Sequence, residues 1–280
     1  MTSPGPSLWH AARVATTIIY ADERIVAIDK PAGVSLATRR SEPTAAVARL
    51  LAEVPAEDCL ALGLAAADLL LVHRLDVGTS GIVLLARDAE THRALSGAFA
   101  GRRVTKHYLA LVWGAPRPRV GRLASPLGPD RRDRRRMRVA LDGRPAATFY
   151  RVVARAPHAA LLLLEPKTGR THQVRVHLAH AGHPIVGDDL YGGPRHRGVH
   201  DPKLRTVLTP THTFLHAWRL HLPTTRATAE IVLTAPLPGD FREALAALRI
   251  PWADVQRATE AVVGAASQGE LEWRPWRTRR

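Results

Sequence analysis

Apolar and polar positions along this chain follow two rhythms, and the switches between them mark out its elements. Thr17–Tyr20 and Ile25–Asp29 are short strand-like runs joined by Ala21-Asp22-Glu23-Arg24, a hairpin-like start. Lys30-Pro31-Ala32-Gly33 follows as a turn, with proline presetting φ and glycine free to take a positive one. Thr44–Ala52 predicts a helix, since Ala46, Val47, Leu50 and Leu51 share a stripe and Thr44 stands at the N-cap. Leu69–Val72 and Ile82–Ala86 are apolar runs of strand length on either side of the polar turn His73–Gly81. Ala89–Ala100 has helical period, and Thr105–Trp113 and Ala147–Ala154 read as longer strands bracketing an arginine-rich stretch, expected to be a loop or an extended hairpin. Ala159–Glu165 predicts a strand and Thr171–Ala181 a helix after the Thr168-Gly169 break. Leu215–Leu222 and Thr228–Leu233 finish the sheet, and Asp240–Leu248 is a short amphipathic helix capped by Asp240. Pro194–Pro210, polar and proline-bounded, reads as a long surface excursion. Strands with interspersed helices and no strict βαβ alternation predict an α+β fold: a single domain on a mostly antiparallel mixed sheet with flanking helices.

Composition narrows the class. A chain of 280 residues can bury a core without disulfides, and 46% apolar residues exclude wholesale disorder. The single cysteine, Cys59, builds neither a disulfide framework nor a multi-thiolate zinc site and favours a reducing compartment. No apolar stretch is long enough to span a bilayer, and Met1–Pro6 lacks the basic and apolar segments of a secretory signal. A soluble, cytoplasmic, monomeric protein is the expectation.

Charge adds more. The net charge is +15, carried by 36 Arg and only 4 Lys. An arginine-rich genome would give that bias without functional meaning, so position is the better guide. Arg117–Arg144 holds ten arginines against three aspartates, a net of +7, and Trp273–Arg280 adds four more arginines. Such clustering is the electrostatic footprint of a nucleic-acid binder, although a solvated loop and tail would look alike. The expected organisation is an N-terminal extension (1–16), a catalytic domain (17–250) and a basic C-terminal extension (251–280).

Several chemistries find no support. The chain has no phosphate-cradling Gly-x-x-x-x-Gly-Lys-Ser/Thr loop and no strand followed by Gly-x-Gly-x-x-Gly. His177 and His180 would share a helix face, but no acidic residue in that helix completes a metal triad. No Gly-x-Ser-x-Gly elbow occurs. What remains is His73-Arg74-Leu75-Asp76-Val77-Gly78-Thr79-Ser80-Gly81, a turn between two apolar strands with Asp76 at its tip. On spacing alone this could equally be a structural turn in which Asp76 bonds backbone amides.

His73-Arg74-Leu75-Asp76-x-x-Thr79-Ser80-Gly81 resembles the signature of the RluA-type RNA pseudouridine synthases. Four other segments resemble that family in the same order: Ile18 to Gly33, Lys106–Gly114, Gly169–Leu178 continuing to Gly187–Gly192, and Phe214–Leu220. Together they span about residues 18–248.

The resemblance implies a cofactor-free and metal-free isomerase that detaches uracil from its ribose, rotates it and rejoins it through C5. The expected substrate is structured RNA, ribosomal rather than transfer. It implies that Asp76 is the catalytic aspartate, acting either on the sugar's developing positive charge or on the C2′ proton. Arg175 would be its partner, Tyr108 would stack on the target base, and Arg74 would fill the gap left by the flipped nucleotide. His172, Gln173 and His177 are expected to make mostly structural hydrogen bonds. Arg131, Arg132, Arg134, Arg135 and Arg136 would belong to an RNA-gripping surface. A catalytically idle RNA-binding or ribosome-assembly factor of the same fold is the alternative.

Overall fold

The computed structural model describes residues 17–39 and 41–267, so the N-terminal extension and the arginines of Trp273–Arg280 lie outside the described residues. In chain order the elements are β1 (Ile18–Ala21), β2 (Ile25–Lys30), α1 (Ala45–Leu51), α2 (Ala56–Ala61), β3 (Leu70–Leu71), β4 (Ser80–Ala86), α3 (Ala89–Ala100) and β5 (Thr105–Trp113). There follow β6 (Val120–Leu123), β7 (Leu127–Pro129), β8 (Met137–Val139), β9 (Thr148–Arg155), β10 (Ala159–Pro166) and α4 (Gln173–His180). The chain closes with α5 (Pro202–Val207), β11 (Leu215–Leu222), β12 (Ile231–Thr234), α6 (Gly239–Ala247) and α7 (Trp252–Ser267).

Ten strands form one mixed, mostly antiparallel sheet along the path β1-β2-β4-β11-β5-β10-β9-β6, with β12 on β11 and β3 on β4. The remaining two, β7 and β8, make a separate hairpin from the arginine-rich segment. The fold is therefore α+β, with helices flanking the sheet. Continuous apolar runs explain why the central strands sit deepest: every residue of β4 and of β10 is buried. Alternation along β2 divides its two faces, Val26 and Ile28 packing with α1 and Ile25 and Ala27 packing with α3.

β11 is the wedge that joins the halves. It runs parallel to β4, pairing His216 with Ser80 and Ala217 with Gly81, and antiparallel to β5. Gly81 takes φ +110°, and a Cβ there would lie 2.4 Å from the Ala217 carbonyl oxygen. Only glycine allows the turn that carries Asp76 to enter the sheet at this point.

Four details depart from the sequence reading. Thr44 occupies the N-cap of α1 but makes no side-chain cap bond, because its backbone is already helical rather than extended. Asp240 lies inside the first turn of α6, after an N-cap at Pro238, and its Oδ2 sits 3.2 Å from His212 Nε2 instead. The surface excursion Pro194–Pro210 contains α5, capped by Asp201, and buries Val199 and Leu208 in the main core. α7 was not anticipated; its Val255 joins the same core.

Candidate active site

The site begins with the turn His73–Thr79 between β3 and β4. Its backbone is fixed from beneath by Lys30, whose side chain is fully buried at the end of β2. Lys30 Nζ donates to the carbonyls of Pro31 (2.8 Å), Val34 (3.0 Å) and Val77 (3.3 Å). Gly33 N donates to the Val77 carbonyl as well, at 2.8 Å. Burial brings the Lys30 pKa down to about 8, opposed by the charges of Asp76 and Asp29. On the other flank, His73 Nε2 accepts from Leu84 N at 3.2 Å and its ring stacks on Phe99. Burial, then Lys106, brings its pKa down to about 3, which suits a nitrogen that must accept. The turn is braced on both sides of Asp76.

Asp76 projects into the cleft with a side chain 27% exposed. Its Oδ2 accepts from Arg175 Nη1 at 3.3 Å, and its Oδ1 lies 3.9 Å from His172 Nε2. Arg175 stands on α4 and is itself gripped from behind. Its Nε and Nη2 donate to Asp188 at 2.7 and 2.9 Å, and Asp188, completely buried, also accepts from the amides of Leu190 and Tyr191. Burial alone would favour loss of the Arg175 proton, but Asp188 and Asp76 outweigh it and hold the guanidinium charged. The fork thus spends one edge on Asp188 and presents Nη1 to Asp76.

Tyr108, half-buried on β5, packs against both large core clusters. Burial, and then the charge of Asp76, push its pKa upward, so its phenol stays protonated. Arg74, Asp76, Tyr108, His172 and Arg175 all line one cleft of about 1020 Å³. A second stretch of its wall is cationic, formed by Arg102, Lys106, Arg144 and Arg170. A cleft with a carboxylate beside a guanidinium, a neutral phenol and a basic wall suits a polyanionic substrate and chemistry at a centre that gains positive charge.

The four sequence-predicted core residues of the site, Arg74, Asp76, Tyr108 and Arg175, are therefore brought together. Of the arginine-rich stretch only Arg144 lines the cleft; Arg131, Arg132, Arg134, Arg135 and Arg136 lie on the connection between β7 and β8. Within it Arg132 and Arg134 are exposed, Arg131 lies 3.8 Å from Asp142, and Arg135 is held by both oxygens of Asp133. Arg136 instead stacks its guanidinium over the Tyr191 ring. Gln173 and His177 make structural bonds as expected, Gln173 to Thr168, Ala147 and Thr148, and His177 to Thr148 and the Ser125 carbonyl. His172 does more: it faces Asp76. Lys30, Asp188 and Tyr191 fall within the matched motifs but have no role legible in the sequence, and nothing in Gly187-Asp188-Asp189-Leu190 marks which of the two adjacent carboxylates is buried. Among the described residues no group of three His, Cys, Asp or Glu side chains is placed to hold a metal ion, and no helix is long and apolar enough to cross a membrane.

Residues 24–180 match the sequence profile of the RNA pseudouridylate synthase family. An uncharacterized RNA pseudouridine synthase of Chloroflexus aurantiacus is 45% identical over 179 residues, 64% of this chain and 53% of that protein. The ribosomal large subunit pseudouridine synthase D of Nitrosomonas europaea is 33% identical over 256 residues, 88% of this chain and 70% of its own length. The dual-specificity RNA pseudouridine synthase RluA of Escherichia coli K12 is 36% identical over 202 residues, covering 70% of this chain and 86% of that one. Among solved structures, human RNA pseudouridylate synthase domain containing 4 superposes with a TM-score of 0.64 at 28% identity, covering 83% of this chain and 92% of the other.

Proposed function

The chain belongs to the RluA-type RNA pseudouridine synthases, which are isomerases, and we propose that it converts uridines of structured ribosomal RNA to pseudouridine with Asp76 as the catalytic carboxylate. The observation that carries this reading is the pairing of Asp76 with Arg175 in a cleft shared with Tyr108. The reaction breaks the N1–C1′ bond, turns the uracil and forms a C5–C1′ bond; the C5 proton is lost and N1 is reprotonated. Uridine and pseudouridine are isomers, so atoms and electrons balance without a co-reactant. Breaking the glycosidic bond places positive charge on the sugar, and an ionised oxygen beside C1′ stabilises or captures it. Removal of the C2′ proton, the other route, calls on the same oxygen.

The target base must leave its helix to reach this cleft, and Arg74 at the exposed rim is placed to take up the vacated position. Tyr108 offers a neutral aromatic face to the extruded uracil. The exposed arginines of the β7–β8 hairpin, Arg131, Arg132, Arg134 and Arg135, with Arg136 at its base, supply phosphate contacts that fix register and leave selection to RNA shape. The ribosomal assignment rests on relatives described as ribosomal large subunit pseudouridine synthase D, one covering 88% of this chain. In this reading the protein acts in the cytoplasm as a monomer, residues 17–250 forming the catalytic unit between the extensions 1–16 and 251–280, the latter packing Val255 of α7 into its core.

The test uses purified full chain and RNA from cells lacking it, with pseudouridine mapped before and after incubation. Wild type should convert discrete uridines in ribosomal RNA, and Asp76→Asn should bind that RNA without turnover. Conversion by Asp76→Asn at the wild-type rate would overturn the catalytic assignment. Binding without conversion by the wild type would instead mark an idle RNA-binding factor, and conversion confined to transfer RNA would overturn the ribosomal assignment.

A further inference from the structure

Tyr191 stands where the arginine-rich hairpin meets the cleft. Its hydroxyl accepts from Met137 N, the first residue of β8, at 2.8 Å and lies 2.9 Å from His172 Nδ1. A phenol that accepts an amide N–H keeps its own proton, which it can donate to Nδ1. That donation places the imidazole proton on Nε2, the nitrogen that faces Asp76 Oδ1. Two guanidinium groups lie over the Tyr191 ring, Arg136 of the hairpin and Arg175 of the site, each 5.1 Å from its centroid. Tyr191 also packs against the small cluster of Leu127, Ala146 and Val176 that seats the hairpin on α4. His172 holds a left-handed backbone conformation, φ +54°, at the head of that helix. A non-glycine residue in this region costs about 1 kcal/mol or more and persists where its surroundings demand it.

We propose that Tyr191 is a positioning residue: it ties the seating of the β7–β8 hairpin to the orientation of His172 and Arg175, and through them to Asp76. The inference rests on the reading of Asp76 as the catalytic carboxylate. Two routes leave one side chain for the same aspartate, the hydroxyl through His172 and the ring through Arg175. Movement of Arg136 or of Met137 when the hairpin engages RNA is thus felt at both oxygens of Asp76. Tyr191 itself touches no reacting atom.

The test compares wild type with Tyr191→Phe, which keeps the ring and removes the hydroxyl, in single-turnover conversion of a ribosomal RNA substrate. At saturating RNA the rate should fall about three- to tenfold, while RNA affinity stays within about twofold. Imidazole ¹⁵N spectra of the full chain should show His172 protonated at Nε2 in the wild type and mixed between tautomers in Tyr191→Phe. In a His172→Gln background, Tyr191→Phe should cost nothing further. A loss confined to RNA affinity, an unchanged tautomer, or costs that add independently to those of His172→Gln would each overturn the proposal. Arg136→Ala should lower the saturated rate in the presence of Tyr191 and have no added effect in Tyr191→Leu; an equal effect in both would refute the hairpin link. A wild type that converts uridine beside an unaffected Tyr191→Phe rejects this inference alone, whereas a wild type that converts nothing rejects the reading beneath it.

Discussion

Replacing Asp188 with asparagine tests how the site is held. Asp188 Oδ1 accepts from Leu190 N, Tyr191 N and Arg175 Nη2, and its Oδ2 accepts from Arg175 Nε at 2.7 Å. An asparagine can keep its oxygen where three donors converge, but its amide nitrogen then meets the Arg175 Nε–H, donor against donor. The buried guanidinium loses a charge-assisted bond and must turn away. A charged hydrogen bond is worth about 1.5–3 kcal/mol, and stripping one partner from a buried pair costs about 3–5 kcal/mol. Arg175 retains Asp76, so a loss of about 2–4 kcal/mol is expected, roughly 5–15 °C in Tm by calorimetry. The same rotation withdraws Nη1 from Asp76, and a displacement of that order in a reacting group's partner lowers turnover by about ten- to a hundredfold. Tm and turnover both at wild-type values would show that Asp188 does not position Arg175, and the account of the clamp would be wrong.

Three other outcomes follow from the same structure. Lys30→Met leaves the carbonyls of Pro31, Val34 and Val77 without their ammonium donor, at a cost of about 2–4 kcal/mol, and loosens the turn that carries Asp76; denaturant titration and turnover should both fall, and a variant as stable and active as wild type would refute the role. Burial brings His73, His107 and His216 down to about 3, 4 and 4 from 6.5, while it pushes Asp29 up to about 7 from 3.8. Near pH 5 the unfolded chain therefore binds three more protons at these histidines and one fewer at Asp29, a net of two, so these four groups contribute about 2.7 kcal/mol per pH unit to the stability lost on acidification below pH 6.5. Asp29→Asn removes the opposing proton and should steepen that loss; a flat profile from pH 6.5 to 4 contradicts the burial argument. In the hairpin, Arg132→Ala with Arg134→Ala should reduce the salt slope of RNA binding by about 1.5, because these two guanidinium groups are exposed and held by no carboxylate among the described residues; an unchanged slope would place the hairpin away from RNA.

Much of the architecture was legible because local pattern and tertiary burial agree. Ala89–Ala100 and Thr105–Trp113 coincide with α3 and β5 to the residue, since Asp88 caps the helix through Thr91 N and the apolar run Tyr108–Trp113 anchors the strand. α5 is hard to read because it is six residues long, mostly polar and buries none of them, whereas α7 carries a clear apolar period over Trp252–Ser267 but falls within the stretch read as a basic C-terminal extension. The β7–β8 hairpin was foreseen only as a possibility, because its strands are three residues each and lie among arginines. At the site, motif resemblance located Asp76, Tyr108 and Arg175, but their arrangement depends on contacts across about a hundred residues, such as Arg175 to Asp76. No spacing rule supplies that. Nor could any rule find His172's orientation, which depends on a left-handed backbone and on Tyr191, 19 residues away.

Breaking a glycosidic bond by hydrolysis ordinarily takes two carboxyl groups about 5–9.5 Å apart, one of them protonated so that the leaving group can accept its proton. Asp188 is near enough to Asp76 that both grip one guanidinium, yet it cannot fill that office. It has no exposure to the cleft and accepts four N–H donors, which leaves no place for a carboxyl proton. Asp189 borders the cleft but is exposed, and the carboxylates that act on His172 and Arg175 are Asp76 and Asp188. The protonated phenol of Tyr108 stands beside Asp76 with its acidity suppressed, a poor donor at neutral pH. With Asp76 as the proposed working carboxylate and no adjacent acid, such a site favours a leaving group that is retained rather than released. Uracil, held in a cleft and returned to the same sugar through C5, needs no such acid to depart for good, so the arrangement fits an isomerase better than a nucleosidase.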